Sequence, residues 1–274
     1  MTITYRSLET IEEIEETASI YGTIWSADER EIIPPHLLIA IQHAGGLLLG
    51  AFDNGQMIGA TVSFVGLRGK TLLHWSHITG VVPGYQGRGV GSGLKWLQRQ
   101  MVLEQGLDCV AWTFDPLQRG NARFNIRRLG CICNQYHVNI YGQLDDELNA
   151  GLPTDRFEVR WWLKSDRVQR RTYTLPPEPD THNVHCTLRK LPDGRPGKIT
   201  WPGEREPTLV EIPDDINRLR SERLDVAMSW REHTRQVFTR LFAEGYTVVD
   251  FVSQNTDESQ PDYGYLLKYG ETNW

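Results

Sequence analysis

A short glycine-rich loop contains the residues of this chain that are best suited to chemistry. It reads Gln86-Gly87-Arg88-Gly89-Val90-Gly91 and lies between a segment predicted to be a strand and one predicted to be a helix. Glycine lets the backbone approach a ligand closely and adopt conformations that a Cβ disfavours. A helix that begins directly behind the loop adds unpaired N–H donors and partial positive charge. With the guanidinium of Arg88, this loop is suited to hold a pyrophosphate.

The spacing of the glycines narrows the kind of loop. Neither GxGxxG nor GxxxxGK[ST] fits, since the glycines fall at 84, 87, 89, 91 and 93 and no Gly-Lys-Ser or Gly-Lys-Thr follows. The pattern that fits is Gln-x-x-Gly-x-Gly after Val81-Val82-Pro83. It resembles motif A of the GNAT superfamily, the acyl-CoA-dependent N-acyltransferases. An ordinary strand-to-helix turn is the alternative interpretation.

The elements around the loop follow from periodicity and from turn residues. A strand at residues 3–6 and a helix from Leu8 precede a second helix at residues 36–43, and Asn54-Gly55 predicts a hairpin. The remaining predictions are strands at 70–82, 107–114, 132–141 and 156–163, with helices from Val90 and at 121–129. This order resembles that of the GNAT fold. The expected fold class is α/β (α+β), with a mixed, largely antiparallel sheet over residues 1–165.

Residues 166–274 are expected to form a separate region. Eight prolines between residues 166 and 213 predict an ordered linker, and a helical pattern over 216–241 predicts a long helix, broken once, with Asp214 as its cap. A strand at 246–253 follows. This C-terminal α/β subdomain is predicted to be a degenerate second GNAT-like half, with chance similarity as the alternative. Asp214 and Asp215 at the start of its helix would repel a pyrophosphate, so this half is expected to bind no cofactor.

The amino-acid composition limits which classes of partner, compartment and metal site the chain is expected to have. The net charge of −6 argues against nucleic acid, and the apolar stretches are too short to cross a membrane. The N-terminus lacks the plan of a signal peptide, so a cytoplasmic protein is expected. Four cysteines make no disulfide framework, and Cys131 and Cys133 are interpreted as buried thiols. His182, His185 and Cys186 lack a second ligand pair, so no metal is predicted. A monomer and a homodimer both remain open.

The GNAT resemblance implies an acyl-CoA co-substrate and assigns residues to it. In that family, pantetheine lies like an extra strand where the strand before the loop diverges from its neighbour. The resemblance implies that Val81 and Val82 supply backbone contacts to pantetheine, and that Thr113 borders the thioester. The phosphates are assigned to Gln86, Gly87, Arg88, Gly89, Val90, Gly91 and Ser92. The helix at 121–129 is expected to border the cofactor through Asn121, Arg123, Phe124 and Asn125.

The strand before the loop also offers candidate bases. An amine must lose a proton before it attacks a thioester, and histidine titrates in the right range. Strict alternation places Trp75, His77, Thr79 and Val81 on one face, so His77 is the predicted base and His74 the reserve. A histidine satisfied within the sheet is the alternative for both.

The acid that protonates the departing thiolate is less well defined. The tyrosine that GNAT motif B usually carries before a Gly-Phe is replaced here by Ile126. Tyr136, Tyr141 or solvent is expected to act instead.

Arg160 is the candidate for binding the acceptor. A guanidinium on the strand at 156–163 could hold a carboxylate, as an amino-acid acceptor would require, or could pair with Glu158. The tract at 151–157 resembles a GNAT branch with an added C-terminal segment, some members of which are linked to N-acylamino-acid metabolism and succinyl transfer. The expected activity is therefore acyl transfer, acetyl or succinyl, from acyl-CoA to a small-molecule amine. A non-catalytic acyl-CoA sensor or scaffold and a protein N-terminal acetyltransferase are the alternatives.

Overall fold

The computed structural model describes residues 2–25, 33–142, 151–254 and 262–270. Within these ranges the chain forms two compact units, the first ending at Trp112 and the second beginning at Thr113. The predicted division at residue 165 follows the family resemblance rather than packing, and it stays a prediction. No helix in the described ranges is long and apolar enough to span a membrane.

The first unit is built on strands that follow one another in sequence order. β1 pairs with β2, β2 with β3 and β3 with β4, all antiparallel, whereas β4 and β5 are parallel. The strands are β1 (Ile3–Ser7), β2 (Leu47–Asp53), β3 (Gln56–Arg68), β4 (Thr71–Val81) and β5 (Cys109–Phe114), of which the part up to Trp112 belongs to this unit. The helices are α1 (Ile11–Trp25), α2 (Pro35–His43) and α3 (Val90–Glu104).

The core of the first unit explains this arrangement. Every residue of β2 is buried, and α1, α2 and α3 all pack against the sheet. Apolar residues spaced three or four apart on α1 and α2 pack against β2 and β3. Ile14 of α1 and Leu38 of α2 belong to the same buried cluster as Leu48 of β2. The helix α3 buries Val90 and Leu94 at its start, which fixes where the glycine loop must end.

The second unit contains the remaining strands and helices. Its strand order is β7-β6-β10-β11-β9-β8, antiparallel except for the parallel pair β8–β9. The strands are β6 (Ile132–His137), β7 (Arg156–Trp162), β8 (His185–Leu188), β9 (Thr208–Ile212), β10 (Tyr246–Gln254) and β11 (Asp262–Tyr269). The helices are α4 (Arg119–Ala122), a π-helix (Arg123–Arg128), α5 (Asp166–Tyr173), α6 (Ile216–Glu222) and α7 (Leu224–Ala243).

The predicted fold class, α/β with a mixed and largely antiparallel sheet, is confirmed by these pairings. The break in the long C-terminal helix is also confirmed, at Arg223 between α6 and α7. Its predicted cap was wrong by one residue. Asp215 accepts the N–H groups of Asn217 and Arg218 at 3.0 Å, whereas Asp214 binds the ammonium of Lys190.

Two of the elements that the sequence prediction lacked change the description of the C-terminal region. The segment from residue 166 was expected to be linker, but it begins with α5, which Ser165 caps by accepting the N–H of Val168. The second is β11, which lies between β9 and β10. The strand–helix–strand series β9, α6–α7, β10 therefore lacks the direct parallel pairing that β4 and β5 make. A degenerate second GNAT-like half stays a prediction.

Aromatic rings and one buried ion pair fill the interior of the second unit. Phe157 lies with its ring centre 4.6 Å from that of Phe238 and 5.2 Å from that of Tyr265. Beside them, Arg231 on α7 donates two hydrogen bonds to the carboxylate of Asp115, at 2.9 and 2.5 Å. Arg231 is 1% exposed, so its charge depends on this partner.

Removing Asp115 should therefore destabilise the protein strongly. An uncompensated buried charge costs about 3–5 kcal/mol, so we expect Asp115→Ala to lower the free energy of unfolding by about that amount. Glu222→Ala is the control, because Glu222 pairs with Arg218 on the exposed side of α6 and such pairs contribute less than about 1 kcal/mol. Urea denaturation of both variants measures the difference. Equal losses would contradict a dominant role for the buried pair.

Candidate functional site

The candidate site begins where β4 parts from β5. Their parallel pairing in the described structure is confined to His74 with Val110 and Trp75 with Ala111. From residue 76 onward, β4 keeps its pairing with β3 on the other side. The last residues of β4 thus pair with β3 on one side, and the pairing of β4 with β5 on the other side ends at Trp75.

The hydrogen-bond alternation of the β3–β4 ladder decides which backbone groups face that open side. The N–H of Val82 donates to the carbonyl of Ile58 at 3.0 Å. In an antiparallel ladder, the groups of the neighbouring residue point the opposite way, so the N–H and C=O of Val81 are turned away from β3. The side chain of Gln86 donates to the carbonyl of Val81 at 3.0 Å. The N–H of Val81 is therefore available to an acceptor outside the sheet, whereas the N–H of Val82 is already bonded to Ile58.

The glycine loop follows as a short 3-10 turn, Pro83–Tyr85, and two left-handed residues. Gly87 has φ +74° and Gly89 has φ +84°, conformations that strain any residue with a Cβ, and neither has an atom within 4 Å of where that Cβ would lie. Gly89 is the N-cap of α3 and contributes no side chain to it. The first helical bond runs from Gly93 to Gly89, so the N–H groups from Gly87 to Ser92 have no acceptor among the described residues.

The side chains of Arg88, within this row of N–H groups, and of Tyr85, just before it, lie close together. The guanidinium carbon of Arg88 lies 5.5 Å from the centre of the Tyr85 ring, and the Tyr85 hydroxyl donates to Asp53 at 3.0 Å. The Arg88 side chain is exposed. The loop thus combines free donors, an exposed positive charge and the N-terminal end of a helix of 15 residues. That combination suits a phosphate group.

His77 lies at a β-bulge. Ser76 pairs with Ser63 and Ile78 pairs with Val62, so His77 is an extra residue that has no pairing partner on β3. The strict alternation predicted from Trp75 to Val81 is therefore wrong at His77, because a bulge redirects the side chains around it. His77 as a whole residue is exposed, but protein around its ring, including the Phe64 ring 6.2 Å away, partly desolvates the imidazole and lowers its pKa.

Lys95 supports the residue beside the bulge. Its ammonium donates to the hydroxyl of Ser76 at 2.7 Å and lies 4.0 Å from the centre of the Trp112 ring. Lys95 is 3% exposed. Sequence reasoning missed it, since helical periodicity alone predicts that a lysine beside an apolar stripe will reach solvent.

His74 has a different environment. Its ring is fully buried, with Nε2 2.6 Å from the amide oxygen of Gln105 and Nδ1 3.2 Å from the hydroxyl of Ser63. Burial lowers its pKa. Because the amide oxygen accepts only, Nε2 carries the proton and Nδ1 accepts from Ser63. Both nitrogens are engaged, which favours the structural interpretation of His74.

In the second unit, the two candidate acids have opposite surroundings. Tyr136 donates its hydroxyl to Asp155 at 2.7 Å, and burial raises its pKa. Tyr141 is 48% exposed, and its hydroxyl lies 2.7 Å from that of Thr113. Thr113 and Tyr141, which the sequence proposed separately, are thus brought together.

The predicted helix at residues 121–129 consists of the single turn of α4 and the π-helix. Asn121 is exposed, Phe124 is half-buried and Ile126 is fully buried. Asn125 is 4% exposed and lies on the π-helix. A π-helix is often associated with functional sites. A contact of Asn125 with the cofactor stays a prediction.

Arg160 lies close to Glu158, the ion-pair partner that was the alternative to a role in binding the acceptor. Its guanidinium lies 3.6 Å from Glu158, a carboxylate that is 1% exposed. The other oxygen of Glu158 lies 3.0 Å from Nε2 of His137. Sequence reasoning missed His137, since the register that brings it near Glu158 cannot be read from strand patterns.

Comparison with known proteins gives similar solved structures. No protein-family model matches the chain, and no curated protein matches it. The ribosomal-protein-S18-alanine N-acetyltransferase from Escherichia coli is 16% identical and superposes with a TM-score of 0.48, covering 67% of this chain and 99% of its own. A GNAT-family acetyltransferase from Streptococcus pneumoniae is 14% identical, with a TM-score of 0.47 over 58% of this chain and 98% of its own. The NatC complex bound to Gag peptide and CoA is 17% identical, with a TM-score of 0.46 over 58% and 98%.

Filling the loop with a carboxylate should abolish CoA binding. Gly89→Asp places a negative charge on the free N–H groups, so we expect CoA affinity to fall at least about tenfold, or about 1.4 kcal/mol. Gly106→Asp is the matched control. Gly106 follows the other end of α3, has φ +81° and also has open space around its Cβ position. Calorimetric titration with CoA measures both variants, and equal affinity for Gly89→Asp and wild type would rule out this loop.

Proposed function

We propose that this protein transfers an acyl group from acyl-CoA to the amine of a small molecule. The observation that carries the proposal is the row of N–H groups from Gly87 to Ser92 without acceptors, at the start of α3 and directly after an open strand edge. Oriented amides at a helix N-terminus bind phosphate without the need for a metal. The pyrophosphate of CoA would take these donors, with Arg88 neutralising charge.

The edge of β4 suits the next part of the co-substrate. Pantetheine contains two amide groups separated by short alkyl chains, so it can bond to a strand edge as another strand would. Val81 would donate its free N–H, and the rest of the chain would follow β4 back from the loop. In this proposal the acyl end lies toward His77, the bulged residue of the same strand.

His77 is the proposed general base. An acceptor amine is protonated near neutral pH and cannot attack a thioester until a base removes a proton. Desolvation by the surrounding protein lowers the pKa of His77, which favours the neutral ring with a lone pair that can accept a proton. His74 makes a weaker candidate, because both of its nitrogens are already bonded within the sheet.

Tyr141 is the better candidate for the acid. The hydroxyl of Tyr136 already donates to Asp155, and its raised pKa makes it a poor proton donor to a thiolate. Tyr141 presents an exposed hydroxyl next to Thr113, the residue expected to border the thioester. Solvent remains the alternative donor.

The acceptor in this proposal is a small molecule such as an amino acid, and the acyl group is acetyl or succinyl. Arg160 would bind the acceptor carboxylate only by exchanging its weak contact with Glu158 for the ligand, which its separation of 3.6 Å permits. Asn125, on the π-helix, would contact the acyl group or pantetheine.

One observation favours a second function, a non-catalytic acyl-CoA sensor. Ile126 is fully buried at the position where the GNAT resemblance expects a catalytic tyrosine. Incubation with acetyl-CoA or succinyl-CoA and a mixture of amino acids, with thiol release as the readout, separates the two functions. Release that depends on the amino acids supports the enzyme. Tight CoA binding without release under any of these conditions supports the sensor.

Removing the imidazole of His77 should slow turnover and leave binding intact. General-base catalysis contributes about 10²–10⁴-fold, so we expect His77→Ala to lower kcat by about that factor while CoA affinity stays close to wild type. In the wild type, activity should fall as the pH drops through the pKa of His77, which desolvation lowers from its ordinary value, because protonated His77 cannot accept a proton. That limb should be absent from the variant.

His43→Ala is the control for this experiment, since His43 is an exposed histidine at the end of α2. Its pH profile should match that of the wild type. If His77→Ala kept full activity with an unchanged profile, another group or a water molecule would be the base.

A further inference from the structure

A pocket in the second unit, unrelated to the glycine loop, has four arginines among the nine residues that line it. It has a volume of about 330 Å³ and lies between the π-helix, α5, β10 and the prolines at residues 176–179. Arg127, Arg167, Arg170 and Arg171 line it, together with Asp166 and Asp250. The size falls within the range of small-molecule pockets, which begins at about 300 Å³.

The carboxylates do not balance the arginines. Four guanidinium groups and two carboxylates line the pocket, which leaves an excess of two positive charges in a chain whose net charge is −6. Arg127 and Arg171 are 2% and 4% exposed, and both are near the same buried carboxylate, Asp250, at 2.9 and 3.9 Å. The pKa of Arg171 falls to about 10, chiefly through burial and then through the charge of Arg167.

Backbone carbonyls satisfy many of these donors without cancelling their charge. Arg171 donates to the carbonyls of Arg127 and Arg167, and Arg167 donates to that of Gly130. These bonds orient the guanidinium planes, but a carbonyl carries no net charge. The Nε of Arg127 is buried and has no hydrogen-bond partner, which is rare for a charged side chain.

The pocket is preformed rather than open to collapse. Arg127 donates to the carbonyl of Pro176, and Glu178 accepts two hydrogen bonds of 3.0 Å from the N–H and hydroxyl of Ser253 on β10. These contacts tie the proline segment to the π-helix and to β10. At the rim, the exposed guanidinium of Arg170 makes no hydrogen bond or ion pair with any described residue. It is therefore available to a ligand.

From this geometry we infer that the pocket binds a small dianion bearing a phosphate or carboxylate group. Guanidinium groups match both of these anions through paired hydrogen bonds, and a dianion would cancel the excess charge. The site lies apart in sequence from the glycine loop, and the inference does not depend on acyl transfer.

Calorimetric titration with pyrophosphate and with succinate tests the site. The Gly89→Asp background removes the glycine loop as a competing anion site. Within it, Arg170→Ala should weaken binding about three- to tenfold, whereas Arg218→Ala should not, because the side chain of Arg218 is 72% exposed on α6 and lines no part of the pocket. Tighter binding of pyrophosphate would assign a phosphorylated ligand, and tighter binding of succinate a dicarboxylate.

Amide hydrogen exchange locates the bound anion in the wild-type protein. The bound probe should slow exchange over residues 166–179, and added salt should weaken the effect. The inference is overturned if neither anion binds at millimolar concentration, if exchange slows only elsewhere, or if Arg170→Ala and Arg218→Ala change affinity equally. Arg170 is exposed, so its replacement leaves the buried arginines in place and tests binding rather than folding.

Discussion

The backbone N–H groups between Gly87 and Ser92 impose the constraint on which the rest of the candidate site depends. Two left-handed residues turn the chain between β4 and α3, and these donors make no backbone hydrogen bond to the preceding strand. The N-cap residue is a glycine, so no side chain satisfies them. They are fixed in place from both sides, by the bond from Gln86 to Val81 and by the buried start of α3 at Val90. The loop is therefore preorganised for an anion that it does not have to rearrange to bind.

The end of β4 extends this constraint along the chain. Because the recorded pairing with β5 ends at Trp75 while pairing with β3 continues to Val81, one edge of the strand carries backbone groups without a strand partner. The bulge at His77 lies in this same segment, and Lys95 and Gln98 hold Ser76 next to it. An open strand edge, a redirected histidine and free amides lie on consecutive parts of one strand and one loop. A long ligand with an anionic end and an amide-containing arm matches this order, which is the physical basis for proposing acyl-CoA.

Sequence periodicity was sufficient for the regular elements and for the loop, because each depends on neighbours along the chain. Helix α2, the break between α6 and α7 and the glycine turn all follow from local residue types. The bulge at His77 does not, since it depends on how β3 and β4 are aligned. The same holds for the contact of His137 with Glu158 and for the buried pair of Asp115 with Arg231, residues 116 positions apart. The many prolines between residues 166 and 213 led to the prediction of a linker over the whole segment. Helix α5 was missed because it lies before the first of these prolines.

The most direct test of the central claim is the amide spectrum of protein labelled with 15N-glycine, recorded with and without CoA. If the loop holds the pyrophosphate, the resonances of Gly87, Gly89 and Gly91 move on addition of CoA. The resonances of Gly45 and Gly106, which share positive φ angles but end helices elsewhere, stay in place. Binding of CoA with the three loop glycines unmoved would contradict the account.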